Sequence, residues 1–194
     1  YYASLATKLY ERFPEERGGD YAISQMMLHS GILPLKQPFQ DGIDAHFGAY
    51  RLALAAGDTE TALAAAMHFP MHYYASGLPL NAFLETKLIL FEEKARLLHQ
   101  SGFMVLFQCC RQFLYNLQGK SMYTSELKGT VMDEEEILGS LEGNSKEMTT
   151  LDFSIFRMVL AYIFGDDETM ECMLTRLEPY PLFDLALVRQ HLRL

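Results

Sequence analysis

Ala53-Leu54-Ala55-Ala56-Gly57-Asp58-Thr59-Glu60-Thr61-Ala62 is the stretch from which the fold can be read. An apolar segment runs into Gly57, a residue that takes left-handed backbone at little steric cost and so closes a helix. Asp58 follows, placed to accept the free backbone N–H groups of a new helix. A joint this short makes the two helices fold back on each other. Ala62, one turn into the second helix, is small enough to let the pair approach closely. The same order recurs in Ala161-Tyr162-Ile163-Phe164-Gly165-Asp166-Asp167-Glu168-Thr169-Met170, with Met170 where the first copy has Ala62. The copies lie 108 residues apart, about three units of 34 to 36 residues, a spacing of helical-repeat proteins.

Helical periodicity extends outward from both joints. Leu84, Leu88, Phe91, Ala95 and Leu98 are spaced to form one stripe, as are Phe103, Leu106, Cys110, Phe113 and Leu117. Leu151, Ile155, Met158 and Tyr162 form another, and Phe153, Phe156, Leu160 and Phe164 leave that helix apolar on a second face, as expected of one held between neighbours. No stretch alternates as a strand would. Gly31, Gly57, Gly77, Gly102, Gly119 and Gly165 read as helix ends, Asp20 and Asp133 as further caps. Pro14, Pro38, Pro79 and Pro181 sit where first turns tolerate proline. These marks predict helices near 1–13, 20–31, 37–56, 58–76, 79–101, 103–118, 133–142, 146–164, 167–178 and 181–194, with a surface loop at Lys120 to Met132. The fold class expected is all-α, an α/α superhelix of antiparallel pairs in which each pair buries its stripe on the next. Residues 1–194 read as one helical-repeat domain.

Composition narrows the function classes. Hydrophobic residues make up 49% and charged residues 21% of the chain, a folded composition. A net charge of −9 argues against nucleic acid, which needs a basic stripe, and against an anionic membrane surface. The longest apolar runs, such as Met158 to Phe164, fall short of the roughly 20 residues of a membrane span. Cys109, Cys110 and Cys172 form no disulfide framework, which fits a reducing, cytoplasmic setting. Tyr1 opens directly into an amphipathic pattern and Leu194 closes without a cap, so the chain reads as a stretch of a longer one. Helices at 1–13 and 181–194 then lack neighbours. Leu5, Leu9, Leu185, Val188 and Leu192 are expected to be partly bare, each forgoing up to about 1.5–3 kcal/mol of burial.

Each group that could carry chemistry has a plainer reading. His68 and His72 are four apart, as zinc ligands on a helix are, but Pro70 between them is expected to kink the helix and no third ligand is evident. Cys109 and Cys110 read as buried packing, since Arg111 beside them faces elsewhere. The acidic run Asp133-Glu134-Glu135-Glu136 suits the positive end of a helix dipole and matches no calcium loop. Met26-Met27 and Tyr73-Tyr74 read as core rather than as a ligand groove. Gly18-Gly19-Asp20 is a turn without the lysine of a phosphate-binding loop, and no Gly-x-x-x-x-Gly-Lys-Ser/Thr occurs. No catalytic residue, cofactor or metal ligand is therefore expected, and the chain is not expected to be an enzyme. A pocket with convergent acid, base or metal groups would revive that reading.

The Gly57-Asp58 turn with Ala62 resembles a tetratricopeptide repeat, in a chain that has no tryptophan. A wider resemblance rests on Leu9 to Phe13 followed by Pro14, on Leu35-Lys36-Gln37-Pro38-Phe39, on Gly57-Asp58, on Asp133 to Glu136, and on Leu160-Ala161-Tyr162-Ile163-Phe164-Gly165-Asp166. Together these are similar to the helical region of large signalling ATPases. There an AAA or STAND-type nucleotide-binding domain is followed by degenerate tetratricopeptide-like repeats, flanked by protein kinase, histidine kinase or guanylate cyclase modules. The family often has tryptophan where this chain has Leu35. The resemblance implies a regulatory or interaction scaffold whose partner is a protein, a peptide or a neighbouring domain of the same chain. A free-standing adaptor of tetratricopeptide type is the alternative.

Overall fold

Both Gly-Asp joints turn the chain in the computed structural model. Gly57 has φ 77° and Gly165 φ 70°, each in the left-handed region. Asp58 accepts from the Thr61 N–H at 3.0 Å and Asp166 from the Thr169 N–H at 3.1 Å, so each joint ends one helix and caps the next. The structure describes residues 19–179 and, before them, Leu5, Lys8, Leu9 and Arg12, which are helical. The rest of the expected helix at 1–13, Pro14, Gly18 and the expected helix at 181–194 with Pro181, Leu185, Val188 and Leu192 lie outside the described residues. Leu5 and Leu9 are exposed.

From residue 19 onward the order is α1 (Gly19–Met27), a π-helical turn (Leu28–Ile32), a 3-10 turn (Leu33–Leu35), α2 (Gln40–Ala55), α3 (Thr59–Ala75), α4 (Ala82–Leu97), α5 (Ser101–Leu117), α6 (Glu134–Ser140), α7 (Gly143–Phe164) and α8 (Asp167–Leu177). The chain is all-helical; among the described residues the one element of β pairing is an isolated bridge between Lys128 and Asp133. No described helix is long and apolar enough to cross a membrane. Two compact units, Tyr1–Phe103 and Met104–Leu194, divide the chain within α5.

In the first unit α2 and α3 form the hairpin, α1 packs on both, and α4 packs on α3. The seam is built from alanine: Ala49 and Ala53 of α2 meet Ala62 and Ala65 of α3, with Ala22 and Met26 of α1 closing the cluster. Small side chains contribute little apolar area each, but they let the backbones come close enough to exclude water. Aromatic rings fill the wider space beyond. Phe91 of α4 meets Tyr50 edge-on at 5.1 Å and Phe69 at 5.9 Å, contacts worth about 0.5–1.5 kcal/mol each beyond their burial. The second hairpin, α7 with α8, uses large residues instead: Leu151, Met158, Met173 and Leu177, with Met170 against them. Its partner α6 packs on α7.

Several expectations need correction. α1 does not end at Gly31, which lies inside the π-helical turn. Gly102 lies in the first turn of α5; the reversal before it falls at His99, φ 55°, a region histidine visits more readily than most side chains. Pro79 does not open a helix; Asn81 caps α4 instead, accepting from the Phe83 N–H at 3.1 Å. Pro70 is buried within an unbroken α3, since a single lost backbone bond is outweighed by packing on its neighbours. Tyr162 and Phe164, expected under cover, are 43% and 42% exposed. The connection at 120–132 is not a plain surface loop, for Leu127 and Met132 are buried in it.

Candidate functional site

Four of the six histidines gather in the first unit. A helix places residues four apart on one face, so His68 and His72 of α3 lie one above the other, with ring centroids 6.5 Å apart. The hairpin brings His46 of α2 beside them, its ring 5.2 Å from His68 and 4.4 Å from His72. His29, from the π-helical turn, stands edge-on to His46 at 6.3 Å. Gly42 makes room for this arrangement, because a Cβ there would lie 2.7 Å from His72 Cδ2.

His72 holds the cluster together. Its Nδ1 faces the His68 carbonyl oxygen at 3.0 Å and its Nε2 faces the His29 carbonyl oxygen at 2.8 Å. A carbonyl oxygen only accepts, so a ring nitrogen that carries a proton donates to the carbonyl it faces. His46 is fully buried, and neither of its ring nitrogens has a hydrogen-bond partner. Burial first, then the charge on His72, pushes His46 down to about 2 and His68 down to about 4 from 6.5. His29 is lowered by the same two causes, with Asp41 pulling the other way. The His29 backbone also lies close enough to favour a charged His46, without reaching hydrogen-bond geometry. Among the described residues no group of three or more histidines, cysteines or carboxylates is arranged to hold a metal ion.

A second polar constellation lies in the other unit. Gln112 and Asn116, four apart and buried on α5, reach into the connection that follows the helix. Gln112 Nε2 donates to Asn116 Oδ1 at 2.8 Å and to the Lys128 carbonyl at 3.2 Å, while its Oε1 accepts from the Val131 N–H at 3.3 Å. Asn116 Nδ2 donates to the carbonyls of Thr124 at 3.2 Å and Glu126 at 2.7 Å. Gly129 must be glycine for this to fit, since a Cβ would meet the Gln112 amide nitrogen at 2.6 Å. Ser125 then donates to Asp166, and Arg157 donates to the Ser125 carbonyl at 3.1 Å while pairing with Glu134 at 2.9 Å. Even so, Glu134 is raised, because its burial outweighs Arg157. Gln112, Asn116 and Arg157 bind backbone groups of the connection directly, and the side-chain links among the cluster tie them together as a clasp.

The remaining sequence candidates are separate from both clusters. Cys109 and Cys110 are buried, and burial pushes Cys110 up to about 12 and Cys109 well above its ordinary value, so neither is a ready nucleophile. Asp133 caps α6 by accepting from the amides of Glu135 and Glu136. Met26 and Tyr73 are core, whereas Met27 is exposed. Gly119-Lys120-Ser121 has the closing letters of a phosphate-binding loop, yet it ends α5 instead of opening a helix, and Lys120 lies over the Tyr115 ring at 4.9 Å. An open apolar stripe runs along α4: Phe83, Leu90 and Leu97 are 52%, 51% and 75% exposed. Their seven-residue spacing keeps them on one face, drifting only about 20° per step. Compared with family models, with curated proteins and with solved structures, the chain matches none.

Proposed function

We propose that the chain is a non-catalytic helical scaffold, a tetratricopeptide-like superhelix that presents a surface to a protein or peptide partner or to a neighbouring domain of the same chain. The observation that carries this reading is the α4 stripe. Phe83, Leu90 and Leu97 keep one apolar face in water, and such a face is suited to a helix or extended peptide that recognises it at regular intervals. Support also comes from the polar clusters, whose atoms face backbone or lie sealed inside. The Gly-Asp hairpins support the superhelix. The parent protein is proposed to be a large signalling ATPase, on the sequence resemblance alone; a free-standing adaptor is the alternative, and a phosphate-binding loop upstream in the parent reading frame separates the two.

Photo-crosslinking tests the scaffold reading. A benzophenone side chain placed at position 90 or 97 of the parent protein should capture a discrete polypeptide or an intramolecular contact, and Phe83→Glu should abolish the capture. Absence of any adduct from either position refutes the docking face. Small-angle scattering tests the superhelix: a compact chain of this length has a radius of gyration of about 16 Å, and a stacked array must exceed it.

A further inference from the structure

We propose that the apolar stripe of α4 is the seam of a homodimer, in which α4 lies side by side and parallel with α4 of a second copy of this chain. The inference rests on the reading of that stripe as a docking face and names its occupant. Phe83, Leu90 and Leu97 are exposed, whereas Leu84, Leu88, Phe91 and Ala95 of the same helix are buried. At about 100° per residue the two sets are centred about 130° apart, so α4 buries one side and leaves the other open. A seven-residue repeat is the period of two helices running the same way, where each step meets its own copy. Phe83 then lies against Phe83 of the second copy, Leu90 against Leu90 and Leu97 against Leu97.

The charges beside the stripe choose both the partner and the direction. Lys87 and Lys94 lie on one flank of it, Thr86 and Glu93 on the other, each about 40–60° from its centre. Among the described residues the Glu93 and Lys94 side chains have no ion pair or hydrogen bond, while Lys87 Nζ lies over the rings of Phe47 at 4.5 Å and Phe83 at 5.4 Å. Glu92 takes no part, being buried and paired with Arg96 at 3.0 Å. In an antiparallel pair related by a two-fold axis each flank faces its own kind. Centred on Leu90, that sets Lys87 against Lys94; shifted by one step either way, it sets Lys87 or Lys94 against itself. Parallel pairing turns opposite flanks toward each other. Glu93 then stands beside Lys94 of the second copy, twice by symmetry, and Lys87 beside the uncharged Thr86. The helix complements itself in this direction alone, and the two-fold axis closes the assembly at two copies.

Sedimentation equilibrium of the 194-residue chain tests this directly. One helix from each copy makes an interface at the small end of specific ones, so half-dimerisation is expected at about 10–100 μM. Leu90→Glu should abolish it. Glu93→Lys and Lys94→Glu should each weaken it by about tenfold, since each sets two like-charged pairs side by side. An equimolar mixture of those two variants should recover the affinity as a heterodimer, both pairs being opposite again, and that recovery shows that neither variant is misfolded. A monomer at about 1 mM, a dimer that Leu90→Glu leaves intact, or one that Lys94→Glu tightens (the antiparallel result) overturns the pairing. So does a mixture no tighter than its components. The docking face is judged separately by the crosslinks at 90 and 97: capture of a different polypeptide keeps it without the homodimer, and no adduct removes both.

Discussion

Replacing Gln112 by leucine should detach the connection between α5 and α6 without unfolding the helices around it. Leucine nearly matches the volume and stays apolar in a site that is 0% exposed, so no cavity term is expected. What is lost is pairing. The Val131 N–H and Asn116 Oδ1 each lose the partner that Gln112 supplies, while the Lys128 carbonyl keeps Ser121 Oγ at 3.0 Å. Two polar groups left unsatisfied cost about 1–3 kcal/mol each, and partial access of water to Val131 places the sum at about 2–4 kcal/mol. That equals a rise of about thirtyfold to seven hundredfold in local opening. Hydrogen exchange should report it at the amides of Gly129, Val131 and Glu134, whose acceptors are the Met132 carbonyl, Gln112 and the Leu127 carbonyl. Amides of α7 should keep their protection. Exchange within twofold of the parent at all three amides would refute the clasp and reduce Gln112 to filler.

Two glycines should respond to alanine with opposite signs. Gly165→Ala must hold φ 70° and should destabilise by about 1–2 kcal/mol, whereas Gly102→Ala, in the first turn of α5 with open space around it, should stabilise by up to about 1 kcal/mol; urea titrations of both variants decide. Of the three cysteines only the exposed Cys172 should react with a disulfide reagent in the native chain, and prompt modification of Cys109 or Cys110 would contradict their burial. Burial raises Asp152 to about 6 from 3.8, so the native state holds the extra proton between those values and stability of the second unit should rise as pH falls from 7 toward 4. Asp152→Asn should flatten that profile, and a slope unchanged by the substitution would sink the assignment.

Much of the fold was legible because helix formation and capping are local. Gly57-Asp58 and Gly165-Asp166 carry their own backbone preference and their own cap, and the stripes Leu84-Leu88-Phe91-Ala95 and Leu151-Met158 are buried. Errors arose where a residue's local preference was outweighed. Proline at 70 lost to packing, and glycine at 102 was not needed because His99 made the turn. The clasp left a trace in the order of residues, since Gln112 and Asn116 are amides four apart inside an apolar helix, but their acceptors are backbone carbonyls that no side-chain pattern reveals.

The amino-acid order alone determined that this chain is helical, where most of its helices turn, and that His68 and His72 share a face, because each depends on neighbours within a few residues. Only the tertiary structure decided that His29 and His46 join them, that His72 spends both nitrogens on carbonyls, and that a connecting segment is pinned from within. Those outcomes depend on which surfaces meet once the hairpins close, and burial, which sets the charge state of a histidine, exists only after they have met.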